Sequence, residues 1–218
     1  MPVAHGHGGT RPVLRTLLMI AVGIGVAQSL RTATAAPLKT ESAVFAAGCF
    51  WCTELAFEQI AGVVDVESGY TGGTAATAYY ERVHQGTTRH AESIRVIYDP
   101  EKVTYEKLLD VFFAAHDPTQ HNRQGELDVG RHYRSAIFYA SESQHAAAEA
   151  KIKDLRDRKA FHRKIVTRVE PLETFYPAED VHQNFAWRNQ LHRYIQMHAI
   201  PRAAAGREAL PELIAPDR

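Results

Sequence analysis

The sequence predicts a two-layer α/β sandwich on a mixed sheet, and three observations carry that prediction. Short apolar or alternating runs suited to strands recur between residues 43 and 169. Amphipathic stretches of helical spacing stand between them. The two kinds alternate along the chain, which is the order expected of a sheet covered by helices. Hydrophobic residues at 45% and charged ones at 23% place the chain among ordinary globular proteins and exclude a disordered or fibrous one. No internal repeat or low-complexity segment interrupts residues 42–190, a length that suits one domain with one core.

Ala43-Val44-Phe45-Ala46-Ala47 reads as a buried strand. After it, Leu55, Ala56, Gln59 and Ile60 fall near one helical face. Gly62 and Gly69 bound a strand over Val63–Glu67, and the glycines of Gly69-Tyr70-Thr71-Gly72-Gly73 indicate a loop. Ala91–Tyr98 alternates apolar with polar and stops at Asp99-Pro100, a strand followed by a turn. Thr104 caps a helix to about Ala115, whose apolar face is Leu108, Leu109, Phe112 and Phe113. Arg134–Tyr139 is a short strand, and Ser141-Glu142-Ser143-Gln144 is a capping box opening a helix to about Lys159. A strand at Val166–Val169 and an amphipathic segment from about Ala178 complete the fold. Residues 191–218, with Pro201, Pro211 and Pro216, carry no motif and read as a loosely ordered C-terminal extension.

The first 35 residues read as a secretory signal peptide. Arg11 and Arg15 precede the apolar run Leu17–Ala27, and Ala33-Thr34-Ala35 supplies a small-residue cleavage site. The run is shorter than the roughly 20 residues of a spanning helix, although an uncleaved, tilted anchor is an alternative. The expected location is therefore periplasmic or secreted, or membrane-anchored and facing outside the cytoplasm. Removing this leader leaves 22 basic residues against 25 acidic ones, with no basic stripe, so nucleic acid is not an expected partner.

Both cysteines of the chain lie in Gly48-Cys49-Phe50-Trp51-Cys52. Cys49 falls at the junction of the first strand and first helix, where free backbone N–H groups and the helix dipole favour thiolate over thiol. A thiolate is a nucleophile, which makes Cys49 the leading candidate for one. Cys52 follows one helical turn later. Outside the cytoplasm such a pair needs an electron supply to stay reduced.

Ala47-Gly48-Cys49-Phe50-Trp51 with Glu54, then Ser68-Gly69-Tyr70-Thr71-Gly72-Gly73, His90-Ala91-Glu92 and Tyr133-Arg134-Ser135-Ala136-Ile137, resemble the A-type peptide-methionine sulfoxide reductases in order and spacing. The resemblance runs from about Val44 to Asn189. It implies a ferredoxin-like α/β plait with extra loops, and reduction of the S epimer of methionine sulfoxide, free or in proteins. By the same resemblance Cys49 matches the nucleophile and Glu92 the acid. Phe50 and Trp51 match the walls around the substrate methyl group, Tyr80 and Tyr133 the phenols at the sulfoxide oxygen, and Asp128 a polar substrate contact. The chemistry suits these groups. A sulfoxide oxygen leaves only when protonated or strongly hydrogen-bonded, which a carboxylic acid kept neutral by burial can achieve. Where many relatives carry glycine after the tryptophan, this chain has Cys52, and it has no cysteine near its C terminus. Cys52 is accordingly expected to resolve a Cys49 sulfenic acid as a Cys49–Cys52 disulfide, reopened by a thioredoxin-like protein or a dithiol, with no metal or organic cofactor.

Other readings of the same residues are zinc binding, a passive disulfide, a thioredoxin-type disulfide oxidoreductase and a redox-switched binder of methionine sulfoxide. Zinc lacks a second cysteine pair, and the histidines are scattered. Phe50 and Trp51 could be plain core residues, Glu92 a solvated strand carboxylate, Tyr133 a surface tyrosine and Asp128 a turn former.

Overall fold

The computed structural model describes residues 39–215, so the leader expected over residues 1–35 lies outside them. β1 (Glu41–Ala47) leads into α1 (Phe50–Glu58), β2 (Val63–Thr71), α2 (Tyr80–His84) and β3 (Ala91–Tyr98). α3 (Tyr105–Ala114), the two-residue strands β4 (Arg123–Gln124) and β5 (Asp128–Val129), β6 (Ser135–Tyr139) and α4 (Glu142–Asp157) follow. The chain continues through β7 (Arg168–Pro171), β8 (Phe175–Pro177), α5 (Phe185–Arg188), a π-helical turn at Ile195–Ala199 and α6 (Ile200–Ala209). Six strands form one sheet in the order β7-β6-β1-β3-β2-β8. Every neighbouring pair is antiparallel except β6–β7, so the sheet is mixed as expected.

β1 is central, and its unbroken apolar run reflects burial on both faces. Phe45 turns to one side, where its ring lies 5.3 Å from those of Phe57 on α1 and Phe112 on α3. Val44 and Ala46 turn to the other, against Ala136, Phe138, Leu172 and Phe175. Both foreseen caps form. Thr104 Oγ1 accepts from the Lys107 N–H, and Ser141 Oγ accepts from the Gln144 N–H. The reciprocal bond of the capping box reaches one residue further back, with Gln144 Oε1 accepting from the Ala140 N–H.

Two expectations need correction. Gly69-Tyr70-Thr71 is not loop but the last third of β2, paired on one side with Ala91–Ser93 and on the other with β8. A side chain at Gly69 would meet Phe175 and the Tyr176 carbonyl, so that glycine serves close strand packing and not a turn. Residues 191–215, expected as a loose tail, carry the π-helical turn and α6, which pack on α1. Gln59 Nε2 donates to the Ala203 carbonyl, Arg207 Nη1 donates to Gln59 Oε1, and Ala199, Ala203 and Gly206 are buried. Small residues permit this close approach but supply little apolar signal in sequence. Pro201 follows directly on the π-helical turn, so its missing N–H falls where the hydrogen-bond ladder changes spacing.

Candidate active site

β1 ends at Ala47, and Gly48 turns the chain at φ +90°. A Cβ there would lie 2.5 Å from Gln124 Cγ, so a glycine is required. Cys49 is then the N-cap residue of α1, and Cys52 lies inside its first turn. Both are free, buried thiols.

A cavity of about 70 Å³ is lined by Cys49, Phe50, Trp51, Tyr80, Glu92, Asp128, Tyr133 and Tyr194. Every residue singled out from the sequence except Cys52 is on that wall, and Cys52 lies close enough for the two thiols to influence each other. The elements that deliver them are far apart in the chain. α1 supplies the thiol and two aromatics, β3 supplies Glu92, and the first residue of α2 is Tyr80. The small β4–β5 hairpin supplies Asp128, and a single turn at Arg131–Tyr133 supplies Tyr133. A larger groove of about 450 Å³ lies on the far side of α1, along Leu55, Trp187 and Arg207, and holds none of these groups.

Glu92 is not a solvated strand carboxylate. It is 1% exposed, and its Oε2 accepts the Phe50 N–H at 3.1 Å. Burial pushes its pKa up to about 8, with the Phe50 N–H pulling the other way and the charges of Asp128 and Cys52 reinforcing the rise. It is therefore mostly a neutral acid at pH 7, with one oxygen left to carry the proton. Because it already fills the free N–H at the mouth of α1, that donor does not serve Cys49.

The cysteines correct one expectation. Burial first, then Cys52 beside it and the acidic groups of Glu92 and Asp128, push the Cys49 thiol well up. The Cys49 hydrogen bond is the main influence bringing Cys52 down, against burial, with help from Arg202 and Tyr194. Of the two sulfurs, Cys49 thus holds its proton the more tightly in the ligand-free site. Three acidic neighbours in a dry site outweigh the partial charge of a nine-residue helix whose first N–H is occupied.

Aromatic packing fixes the walls. Trp51 stacks on Phe185 at 3.9 Å between centroids, and Phe50 lies 5.8 Å from Tyr70. His182, absent from the sequence reading, sits 4.5 Å from the Tyr80 ring and 5.3 Å from that of Phe50. Glu179 Oε1 accepts the Tyr80 N–H, while its Oε2 accepts from Tyr70 Oη. Burial drives the Tyr133 and Tyr80 hydroxyls further from ionisation, which keeps both as donors. Tyr194 was also missed. Its Oη lies 2.8 Å from each Asp128 oxygen and 3.7 Å from Cys52 Sγ. No local pattern announces a contact across 142 residues. Among the described residues, no cluster of three or more His, Cys, Asp or Glu is placed to hold a metal.

Glu54, one turn after Phe50 on α1, is a second buried carboxyl. Its Oε1 accepts the Asn184 N–H at 3.0 Å, and burial raises it to about 8. Glu54 and Glu92 both hold a proton in the folded chain that the unfolded chain loses above about pH 4.5. Their contribution to stability is thus complete below that pH and falls by about 1.4 kcal/mol per pH unit for each group until about pH 8. Glu54→Gln, which stays neutral, is expected to flatten the fall in urea midpoint between pH 5 and 8 relative to wild type. Parallel curves for the two proteins would show that Glu54 is ionised in the fold.

The family described as peptide methionine sulfoxide reductase matches residues 41–212. A Synechocystis sp. protein named peptide methionine sulfoxide reductase MsrA 2 is 53% identical over 164 residues, 75% of this chain and 76% of that protein. A Natronomonas pharaonis protein named peptide methionine sulfoxide reductase MsrA is 47% identical over 175 residues, 80% of this chain and 98% of that one. Among solved structures, reduced Mxr1 from Saccharomyces cerevisiae superposes with a TM-score of 0.68 at 33% identity, over 75% of this chain and 93% of its own. Methionine sulfoxide reductase A of Corynebacterium diphtheriae gives 0.62 at 34%, over 72% and 78%. An enclosed thiol facing a neutral carboxylic acid, carried on a fold and sequence shared with these proteins, leads to one conclusion: the chain belongs to the peptide methionine sulfoxide reductase family and is an oxidoreductase of that kind.

Proposed function

We propose that this protein reduces the S epimer of methionine sulfoxide, in oxidised proteins and as the free amino acid, with Cys49 as nucleophile and Glu92 as acid. The observation that carries the reading is the neutral Glu92 carboxyl and the Cys49 thiol on one small aromatic wall. Phe50 and Trp51 hold the methyl group, since sulfur and its substituents pack well on rings. The Tyr80 and Tyr133 hydroxyls donate to the sulfoxide oxygen while Glu92 supplies a proton. As Cys49 attacks, its own proton passes to the neighbouring sulfur of Cys52, the more readily ionised of the two. The oxygen ends on Cys49 as a sulfenic acid, and methionine leaves. Asp128, also on the cavity wall, is a polar contact for the substrate. Turnover of separated S and R epimers with a small dithiol tests the reading: reduction of the S epimer alone supports it, and reduction of neither sinks it.

Cys52 then closes a Cys49–Cys52 disulfide with loss of water, and a thioredoxin-like donor reopens it. Adjacency in one helical turn supports this assignment, as does a described C-terminal segment free of cysteine. Cys52→Ser is expected to release one methionine per enzyme but to recycle with thioredoxin at least about tenfold more slowly. An unchanged steady-state rate would transfer resolution to the external thiol. No cofactor is required in this scheme.

The β6-β1-β3-β2 core, with α1 between β1 and β2 and α3 between β3 and β6, supports reading the fold as a ferredoxin-like plait with β7 and β8 added at its edges. The leader pattern at residues 11–35 supports a periplasmic or secreted location, with membrane anchoring as the alternative. Among the described residues no helix is long and apolar enough to cross a membrane.

A further inference from the structure

Beside Cys52 a line of polar groups runs through Tyr194 and Asp128, which share the cavity wall with Glu92, to Arg202. Cys52 Sγ is 3.7 Å from Tyr194 Oη, and Tyr194 Oη is 2.8 Å from both Asp128 oxygens. Arg202 Nη2 stands 3.6 Å from Asp128 Oδ2, with side-chain exposures of only 15% and 7%. Arg202 Nη1 also donates to the Ala47 carbonyl at the end of β1, which anchors the cation. The four groups come from α1, the residue before the π-helical turn, β5 and α6. The attack of Cys49 on a sulfoxide, with Glu92, Tyr80 and Tyr133 around the oxygen, leaves Tyr194 and Arg202 without a task in that first step.

We propose that Tyr194 is a catalytic residue of the resolving step, taking the Cys52 proton and passing its own to Asp128, and that Arg202 is the positioning residue that keeps Asp128 ionised to receive it. The proposal rests on the reading of Cys52 as the resolving thiol. After the first step Cys52 holds the proton it received from Cys49, and a thiol is a poor nucleophile. Its S–H points to Tyr194 Oη, a phenol fixed by two short contacts to a carboxylate. When Cys52 Sγ attacks the Cys49 sulfenic sulfur, the S–S bond forms and the S–O bond breaks. The hydroxyl leaves with the bonding pair and departs as water, taking a proton that Glu92 has regained from solvent after giving its first one to the sulfoxide oxygen. The Cys52 proton moves to Tyr194 Oη as the Tyr194 proton moves to Asp128. Burial alone drives Asp128 towards its neutral form, and the Tyr194 bond and the Arg202 charge oppose that. Without Arg202 the acceptor at the end of the line is already protonated more of the time.

The groups facing Cys52 are Cys49 on its own helix, Glu92 on β3, Asp128 on β5, and Tyr194 and Arg202; His198 faces Asp128. Removing the Arg202 charge leaves the negative groups unopposed and raises the proton affinity of Cys52. Disulfide formation should then need a higher pH.

The test uses the reduced full chain mixed with one equivalent of the S epimer and no reductant. Samples are quenched over time with dimedone, which traps sulfenic acid, and the trapped and disulfide forms are weighed by mass spectrometry. Wild type is expected to reach the disulfide with little trapped sulfenic acid. Tyr194→Phe keeps the ring and should accumulate the trapped form, closing the disulfide roughly tenfold or more slowly. Arg202→Met should slow closure in the same direction and move its pH profile upward, and Arg202→Lys should restore both; a merely structural role would leave the profile in place. Disulfide closure in Tyr194→Phe at the wild-type rate from pH 6 to 9 would overturn the proposal, and Tyr194→Phe with Arg202→Lys decides it if Arg202→Met does not fold. Persistent sulfenic acid in wild type itself would overturn it by a different route, by removing Cys52 as the resolving thiol.

Discussion

Replacing Glu92 by Gln is expected to slow methionine release by about 10²- to 10⁴-fold, the range for removing a positioned acid. The amide oxygen can still accept the Phe50 N–H that Glu92 accepts at 3.1 Å, so the mouth of α1 keeps its geometry. The amide group also keeps a donor for the sulfoxide oxygen, but it cannot give that oxygen a proton. The loss therefore measures proton transfer and not substrate positioning. The wild-type rate of the first step should fall above about pH 8, as the carboxyl that burial holds at about 8 ionises. Glu92→Gln should lack that falling limb. Single-turnover methionine release between pH 6 and 9 measures both effects, and a variant within a few-fold of wild type with the same limb would give the acid's role to another group.

Cys49→Ser is expected to remove turnover altogether, by a factor on the order of 10⁴ or more. A serine hydroxyl is far less acidic than a thiol, and this site already drives Cys49 away from ionisation. Oxygen also lacks the sulfur chemistry that accepts an oxygen atom as a sulfenic acid. Cys52 is a poor substitute, because it does not line the cavity. Any residual dithiol-driven reduction of the S epimer at a wild-type rate would refute the assignment. The variant should fold, since Ser and Cys differ little in size and Cys49 is in no disulfide.

The parts of the site legible in sequence were those carried by short contiguous patterns. A strand, a glycine and a C-x-x-C fixed the position of Cys49, and the resemblance to a known family added Glu92, Tyr80, Asp128 and Tyr133 to one wall. Periodicity alone would have left Glu92 on a solvated face, because alternation cannot distinguish a strand buried on one side from one buried on both. The protonation of the cysteine pair was misjudged because the dipole argument considers one helix end, whereas the charge on Cys49 depends on Glu92 and Asp128, 43 and 79 positions away in the chain. Tyr194, His182 and Arg202 were missed for a related reason. Tyr194 and Arg202 sit in a segment of small residues, prolines and one π-helical turn, where neither a 2.0 nor a 3.6 repeat appears, and His182 lies in the amphipathic stretch from Ala178, whose spacing names no contact. Their importance comes entirely from where those segments dock.

The cavity at Cys49 has room for only about 70 Å³, which admits the tip of one side chain and no peptide backbone. A damaged residue must therefore extend its own flexible arm into the enzyme, and a sulfoxide locked in the interior of a well-folded client has no means of doing so. The protein thus reads the local looseness of its clients as well as their oxidation. A protein partly unfolded by damage offers more arms than an intact one, so the pool of repairable sites grows with the disorder that oxidation causes.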